Sequence, residues 1–252
     1  MLLSLSFHSL VSAQYFSKIT TGAVVTDLGD SRSVNWVDVN NDGYIDCFIS
    51  NGPSGGQNNR LYLNMGDGTF SAVTDDDIVT DGAPSDGATF ADIDNDGDLD
   101  AFVVNWYNVN NLLYINDGNG NFTRITSGPP VSDLGYSETA SFGDYNNDGL
   151  IDLYVTNSAG AKKNFLYQNS GAGTWLKITT GSPVEDNLAS RNVSWTDLNE
   201  DGYPDMFVTN EYGANEHIYI NNGDGAFETH TTGTLVNNGG NTNSSSWGDY
   251  GQ

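Results

Sequence analysis

The sequence predicts an all-β repeat protein, and three observations carry that reading. A nine-residue acidic loop recurs every 52 to 54 residues, runs with strand periodicity flank each copy, and no segment shows a helical pattern. The copies read Asp38-Val-Asn40-Asn-Asp42-Gly43-Tyr44-Ile-Asp46, Asp92-Ile-Asp94-Asn-Asp96-Gly97-Asp98-Leu-Asp100, Asp144-Tyr-Asn146-Asn-Asp148-Gly149-Leu150-Ile-Asp152 and Asp197-Leu-Asn199-Glu-Asp201-Gly202-Tyr203-Pro-Asp205. A fifth opens at Asp249 and stops with the chain.

The elements follow in order along each repeat. Before each loop apolar residues alternate, as in Val34-x-Trp36, Ala88-x-Phe90, Ala140-x-Phe142 and Val193-x-Trp195, a period of two that marks a strand with one apolar face. After it come Cys47-Phe-Ile-Ser-Asn51, Ala101-Phe-Val-Val-Asn105, Leu153-Tyr-Val-Thr-Asn157 and Met206-Phe-Val-Thr-Asn210, short runs suited to strands buried on both faces. A third run holds Leu61-Tyr-Leu-Asn64, Leu113-Tyr-Ile-Asn116, Leu166-Tyr-Gln-Asn169 and Ile218-Tyr-Ile-Asn221. Glycine turns (Gly66/Gly68, Gly118/Gly120, Gly171/Gly173, Gly223/Gly225) lead to a fourth strand opening on Phe70, Phe122, Trp175 or Phe227.

Four short antiparallel strands per repeat describe one blade of a β-propeller. The repeats fall at about 31–80, 81–132, 133–185 and 186–236, with a partial one at 237–252. The recurring aromatics are then packing between blades, and stability is shared between neighbours. Residues 14–22 match a fourth strand, and Ser245-Ser-Trp247-Gly-Asp249 matches a first strand. The chain therefore reads as a fragment, four complete blades plus part of another. Residues 1–13 form an apolar leader ending Val11-Ser12-Ala13, expected to be a signal peptide.

Charge excludes some partners. Thirty-three acidic residues against eight basic give −25, which argues against nucleic acid and anionic membranes. No stretch is long and apolar enough for a membrane span. The single cysteine, Cys47, rules out an intrachain disulfide and reads as a small buried hydrophobe. His8, His217 and His230 lack ligand spacing for zinc.

Fifteen of the acidic residues sit in the four loops. Two carboxylates about 4 Å apart repel by about 1 kcal/mol in water and about 4 kcal/mol near a protein surface. Oxygen ligands at one-residue spacing suit a hard cation of flexible coordination, Ca²⁺ rather than Mg²⁺. Positions 1, 3, 5 and 9 supply side-chain oxygens: Asp38, Asn40, Asp42 and Asp46; Asp92, Asp94, Asp96 and Asp100; Asp144, Asn146, Asp148 and Asp152; Asp197, Asn199, Asp201 and Asp205. Position 7 (Tyr44, Asp98, Leu150, Tyr203) would offer its carbonyl, and glycine at position 6 permits the sharp turn. An EF-hand is excluded, because its position-12 acid is replaced by Ile49, Val103, Val155 and Val208 and the flanks are strands.

Asp-x-(Asp/Asn)-x-Asp-Gly-x-x-Asp between strands resembles the FG-GAP/VCBS repeats of integrin α-subunit propellers and of secreted bacterial proteins, over roughly residues 15–250. The resemblance implies a seven-bladed propeller with one calcium in the loop between first and second strands, hence about four ions here. The Phe-Gly pair survives only at Phe142-Gly143, and Asn-led sequences replace the Gly-Ala-Pro expected after the second strand. The chain is thus closer to the secreted bacterial branch.

Identical sites in every repeat point to structural calcium rather than catalysis, which needs one asymmetric site. No nucleophile–base pair is present to nominate, and the chain is expected not to be an enzyme. The opposite face collects the remaining loops, bearing Arg60, Trp106, Tyr107, Lys162, Lys163 and Tyr212. Three functions follow: a secreted or cell-surface adhesion or protein-interaction module, a carbohydrate-binding lectin-like propeller, or the accessory propeller of a larger secreted enzyme.

Overall fold

The computed structural model describes residues 17–248. Four antiparallel sheets follow one another, each with strands in chain order. The first holds β1 (Ser31–Val37), β2 (Asp46–Asn51), β3 (Arg60–Asn64) and β4 (Phe70–Val73). The second holds β5 (Ser85–Ala91), β6 (Asp100–Asn105), β8 (Leu112–Asn116) and β9 (Phe122–Ile125); a two-residue strand β7 (Val109–Asn110) pairs instead with β10 (Leu134–Gly135). The third comprises β11 (Ser137–Gly143), β12 (Asp152–Asn157), β13 (Phe165–Asn169) and β14 (Trp175–Ile178), and the fourth β15 (Ser190–Thr196), β16 (Asp205–Asn210), β17 (His217–Asn221) and β18 (Phe227–His230). These are the four expected propeller blades.

The second strands are the most buried. β6, β12 and β16 are covered along their whole length, as their unbroken apolar runs require. Their side chains alternate between neighbouring blades. Phe48 and Leu61 of the first blade pack with Ala101, Val103 and Tyr114 of the second, while Phe102 and Leu113 turn to Leu153 and Tyr167 of the third. Tyr154 and Leu166 then meet Met206 and Tyr219. Cys47 is buried, which pushes its thiol up to about 11 and leaves it a hydrophobe.

A tyrosine at the centre of each third strand ties its blade to the connection entering it. The hydroxyls of Tyr62, Tyr114, Tyr167 and Tyr219 donate to Asp27, Asp81, Asp133 and Asp186 at 3.0, 2.6, 2.7 and 2.8 Å. The asparagine ending the third strand acts between blades in the second, third and fourth blades. Asn116 Nδ2 donates to Val39 O of the preceding blade, and Asn169 and Asn221 do the same to Ile93 O and Tyr145 O, at 2.6–2.8 Å.

Three features differ from the sequence reading. Each connection entering a blade carries a single helical turn: α1 (Ala23–Thr26), α2 (Asp77–Thr80), a 3₁₀ turn (Pro129–Val131) and α3 (Ser182–Glu185). One turn is too short to leave a 3.6-residue period, although Asp76, capping Ile78 N, and Pro at the start of the two later turns are start signals. The fourth-strand match at 14–22 lies partly outside the described residues, and 17–21 form no strand. Residues 245–248 likewise form none, yet Ser245 hydrogen-bonds Asn192 and Ser194, and Trp247 meets Phe207 edge-on at 5.4 Å. They lie along the fourth blade as a next first strand would.

The Phe142-Gly143 pair has a local cause. A Cβ on Gly143 would fall 2.8 Å from the Trp195 ring, whose Nε1 donates to Ser141 O. Substituting Asn169 by Ala removes its bonds to Ile93 O and Ile151 O and its acceptor for Gly171 N. The expected loss is about 1–3 kcal/mol in urea denaturation; an unchanged midpoint would show that the inter-blade bond adds nothing.

Candidate metal centre

Each acidic loop leaves a first strand and is shaped by its own side chains. At position 1 one carboxylate oxygen accepts from the position-5 N–H and the other from the glycine N–H, as Asp144 does from Asp148 (3.1 Å) and Gly149 (2.9 Å). Asp38, Asp92 and Asp197 repeat this. Position 5 accepts from position 7: Asp42 from Tyr44, Asp96 from Asp98, Asp148 from Leu150 and Asp201 from Tyr203, at 2.8–3.0 Å. Glycine at position 6 has φ of +85° to +97° in all four loops. A Cβ there would meet nothing within 4 Å, so conformation rather than space requires glycine.

Position 9 is the buried anchor. Asp46, Asp100, Asp152 and Asp205 are fully covered. One oxygen of each accepts from the position-2 N–H (Val39, Ile93, Tyr145, Leu198) and the other from the asparagine N–H ending the third strand (Asn64, Asn116, Asn169, Asn221), at 2.7–3.2 Å. Burial pushes Asp100 up to about 6 and Asp152 to about 7 against the pull of those N–H groups, and Asp46 and Asp205 shift the same way.

The predicted side-chain ligands thus share one loop interior per blade. Carboxylate oxygens of Asp92, Asp94 and Asp100 lie within 4.8 Å of one another. In the other loops position 3 is an amide: Asn40, Asn146 and Asn199 accept from the position-5 N–H, while Nδ2 donates to the free oxygen of Asp42, Asp148 or Asp201 at 2.9–3.1 Å. Among the described residues, no Lys, Arg or His pairs with a loop carboxylate. An all-oxygen set with uncompensated charge fits a hard cation. Position-7 side chains have another task. Tyr44 and Tyr203 cover the Gly66 and Gly223 turns, where a Cβ would fall 2.5 Å from the ring, and Asp98 lies over Gly118.

Position 4 was not singled out by sequence. Asn41, Asn95, Asn147 and Glu200 all have φ of +53° to +62°. The three asparagines reach into the following loop: Asn41 Nδ2 donates to Asp98 Oδ1, Asn95 to Gly149 O and Asn147 to Gly202 O. The available signal was asparagine's tolerance of left-handed backbone, recurring at one position.

On the opposite face Trp106 lies edge-on to Tyr107 and Tyr136, both at 4.9 Å, and its Nε1 donates to Glu138. Lys162 Nζ lies 5.2 Å from the centre of the Tyr212 ring, and Tyr212 is 77% exposed. Arg60 is half-buried at the start of β3.

A pH dependence follows for protein kept in chelator. Asp100 and Asp152 ionise at higher pH in the fold than in the unfolded chain, so their contribution is complete below about 4 and is lost as pH rises through about 6 and about 7. The melting temperature in chelator should therefore fall between pH 5 and pH 8; a rise would contradict the buried-anchor account.

The family model described as FG-GAP-like repeat matches residues 38–103, 98–155, 144–208 and 197–252. No curated protein matches the chain at a significant level. Among solved structures, the chain is similar to an Agrocybe aegerita lectin that recognises non-reducing terminal N-acetylglucosamine (20% identity, TM-score 0.50, 81% of this chain and 52% of the lectin). The chain thus spans about half that lectin's length. Weaker similarity extends to a Photorhabdus luminescens Tc holotoxin pore (19%, TM-score 0.41, 78% of this chain and 9% of that one) and to the V. cholerae biofilm matrix protein Bap1 (17%, TM-score 0.38, 79% and 38%). Among the described residues, no helix is long and apolar enough to cross a membrane. With four overlapping matches spanning its acidic loops and blades, the chain belongs to the FG-GAP-like repeat family.

Proposed function

We propose that this chain is a secreted, calcium-stabilised propeller serving as an adhesion or interaction module, with Ca²⁺ structural and ligands taken on the face opposite the acidic loops. The observation that carries the reading is the repeated oxygen-lined loop without a cationic side chain. Each ion would be held by the side chains at positions 1, 3, 5 and 9 and the carbonyl at position 7. It would neutralise carboxylates that otherwise repel one another and, at position 9, resist ionisation. Repetition of one site in every blade suits a structural ion and not a reaction centre.

A second reading, a carbohydrate-binding propeller, is favoured by the Trp106–Tyr107–Tyr136 cluster on the opposite face. The lectin with a similar fold binds a sugar, which makes glycans a reasonable first ligand class to try.

Calorimetric titration should find about four calcium ions, as the loop count requires. Thermal unfolding should show a large loss of stability on chelation, since a site filled to 100 times its Kd adds about 2.7 kcal/mol. No bound calcium and no effect of chelator would sink the proposal. Added calcium should also reverse the pH trend, because its ligands bind ionised.

Two variants separate ligand from scaffold. Asp148→Ala should remove one ion from the stoichiometry and cost little in chelator. Asp152→Ala, which orphans Tyr145 N and Asn169 N, should cost about 1–3 kcal/mol even in chelator. Equal losses in chelator would contradict this division.

A further inference from the structure

On the face opposite the acidic loops, each first strand places one charged residue next to its opening serine: Arg32, Asp86, Glu138 and Arg191. The four blades thus contribute two guanidiniums and two carboxylates at equivalent positions. They are already paired. Arg32 Nε lies 3.6 Å from Asp86 Oδ1 and Arg191 Nη1 lies 2.6 Å from Glu138 Oε1, with Glu211 a further partner of Arg191 at 3.5 Å. Together with Trp106 and Tyr107 these four residues line a cleft of about 220 Å³.

The cleft is held in shape. Glu138 is buried and accepts from Trp106 Nε1 and the Ser158 hydroxyl as well as from Arg191. Trp106 is pinned edge-on between Tyr107 and Tyr136. Tyr107 is 37% exposed and has φ of +66°, a backbone region that a bulky aromatic occupies only at a cost.

We propose that this cleft binds a neutral sugar residue; the proposal rests on the reading of the chain as a ligand-binding propeller. A sugar hydroxyl both donates and accepts, whereas a guanidinium only donates and a carboxylate only accepts. A ring that combines the two offers complementary partners to vicinal hydroxyls. The formal charges of the four lining residues cancel, with Glu211 beside Arg191 but outside the lining, so a neutral ligand leaves both ion pairs across the cleft intact. A charged ligand would have to displace one member of a pair and strand its partner, which is costly where Glu138 is buried. Trp106 and Tyr107 supply the apolar surface that the C–H face of a pyranose requires, beside a few fixed polar groups. Because those groups are ordered before the ligand arrives, little freedom is lost on binding.

The test is a glycan microarray followed by saturation-transfer NMR at millimolar sugar. Neutral hexose and N-acetylhexosamine oligosaccharides are compared with sialylated, uronic-acid-bearing and unacetylated, cationic amino-sugar counterparts. Wild-type protein in calcium is set against Asp86→Asn, Tyr107→Ala and Arg32→Gln. Melting temperature and calcium stoichiometry are measured on the same samples. Neutral glycans should bind, and each variant should weaken binding by about tenfold or more, with melting temperature and calcium stoichiometry unchanged. Neutral-glycan binding that survives all three variants overturns the cleft while leaving a carbohydrate-binding propeller standing. A preference for acidic sugars or for amino sugars with a free, cationic amine, or no sugar bound at all, overturns the neutral-sugar assignment. The calcium stoichiometry reports on the structural-ion reading separately in every case.

Discussion

The aspartate that closes each acidic loop is the contact on which the rest of a blade depends. Asp46, Asp100, Asp152 and Asp205 are each buried and each hold two backbone N–H groups, one from the start of the loop and one from the end of the third strand. One side chain therefore fixes the turn between two strands and the register of a third. The same carboxyl faces the loop interior beside the carboxylates at positions 1 and 5. Folding thus brings negative charge into a place where burial opposes it, and the backbone N–H groups offset only part of that cost. The scaffold and the candidate ion site are one arrangement.

From that anchor the connections spread outward. From the second blade onward the asparagine whose N–H meets the aspartate also sends its side chain to the preceding blade, and in the first three loops the position-4 asparagine sends its own to the following loop. The apolar faces pack by alternation along the second strands, with Phe48, Phe102 and Tyr154 turned towards the next blade. Blade-to-blade adhesion is thereby shared between dry packing and a small set of repeated polar contacts.

Most of this architecture was legible in the sequence, because repetition turns weak local signals into strong ones. A single Asp-x-Asn-x-Asp-Gly turn is ambiguous, but four in register with flanking alternation are not. The illegible parts share a physical cause: they depend on which side chain reaches across a gap. Nothing in Asn169 or Tyr167 announces that one reaches Ile93 O and the other Asp133, since both look like ordinary strand residues. The single helical turns escaped because one turn has no measurable period. Residues 17–21 and 245–248 form no strand although their pattern suits one, because pairing is a property of two segments and a local pattern does not name its partner. On the far side, Trp106 and Tyr107 were visible as loop aromatics, whereas their alignment with one charged residue from each blade was not.

The side chains that cross between blades give the repeat a direction. The first three acidic loops reach forward through their position-4 asparagines and the third strands of the second to fourth blades reach back through their terminal asparagines, to a backbone carbonyl in every case except Asn41, which meets the Asp98 side chain. Junctions made of such generic receptors do not record which blade is which. A gene encoding this unit can gain or lose one whole copy by unequal recombination, and the new neighbours meet contacts they already know how to make. The opposite face is where the junctions differ, since Trp106 Nε1 reaches Glu138 of the next blade and β7 pairs with β10 there, so a gained or lost copy would have to rebuild its contacts on that side.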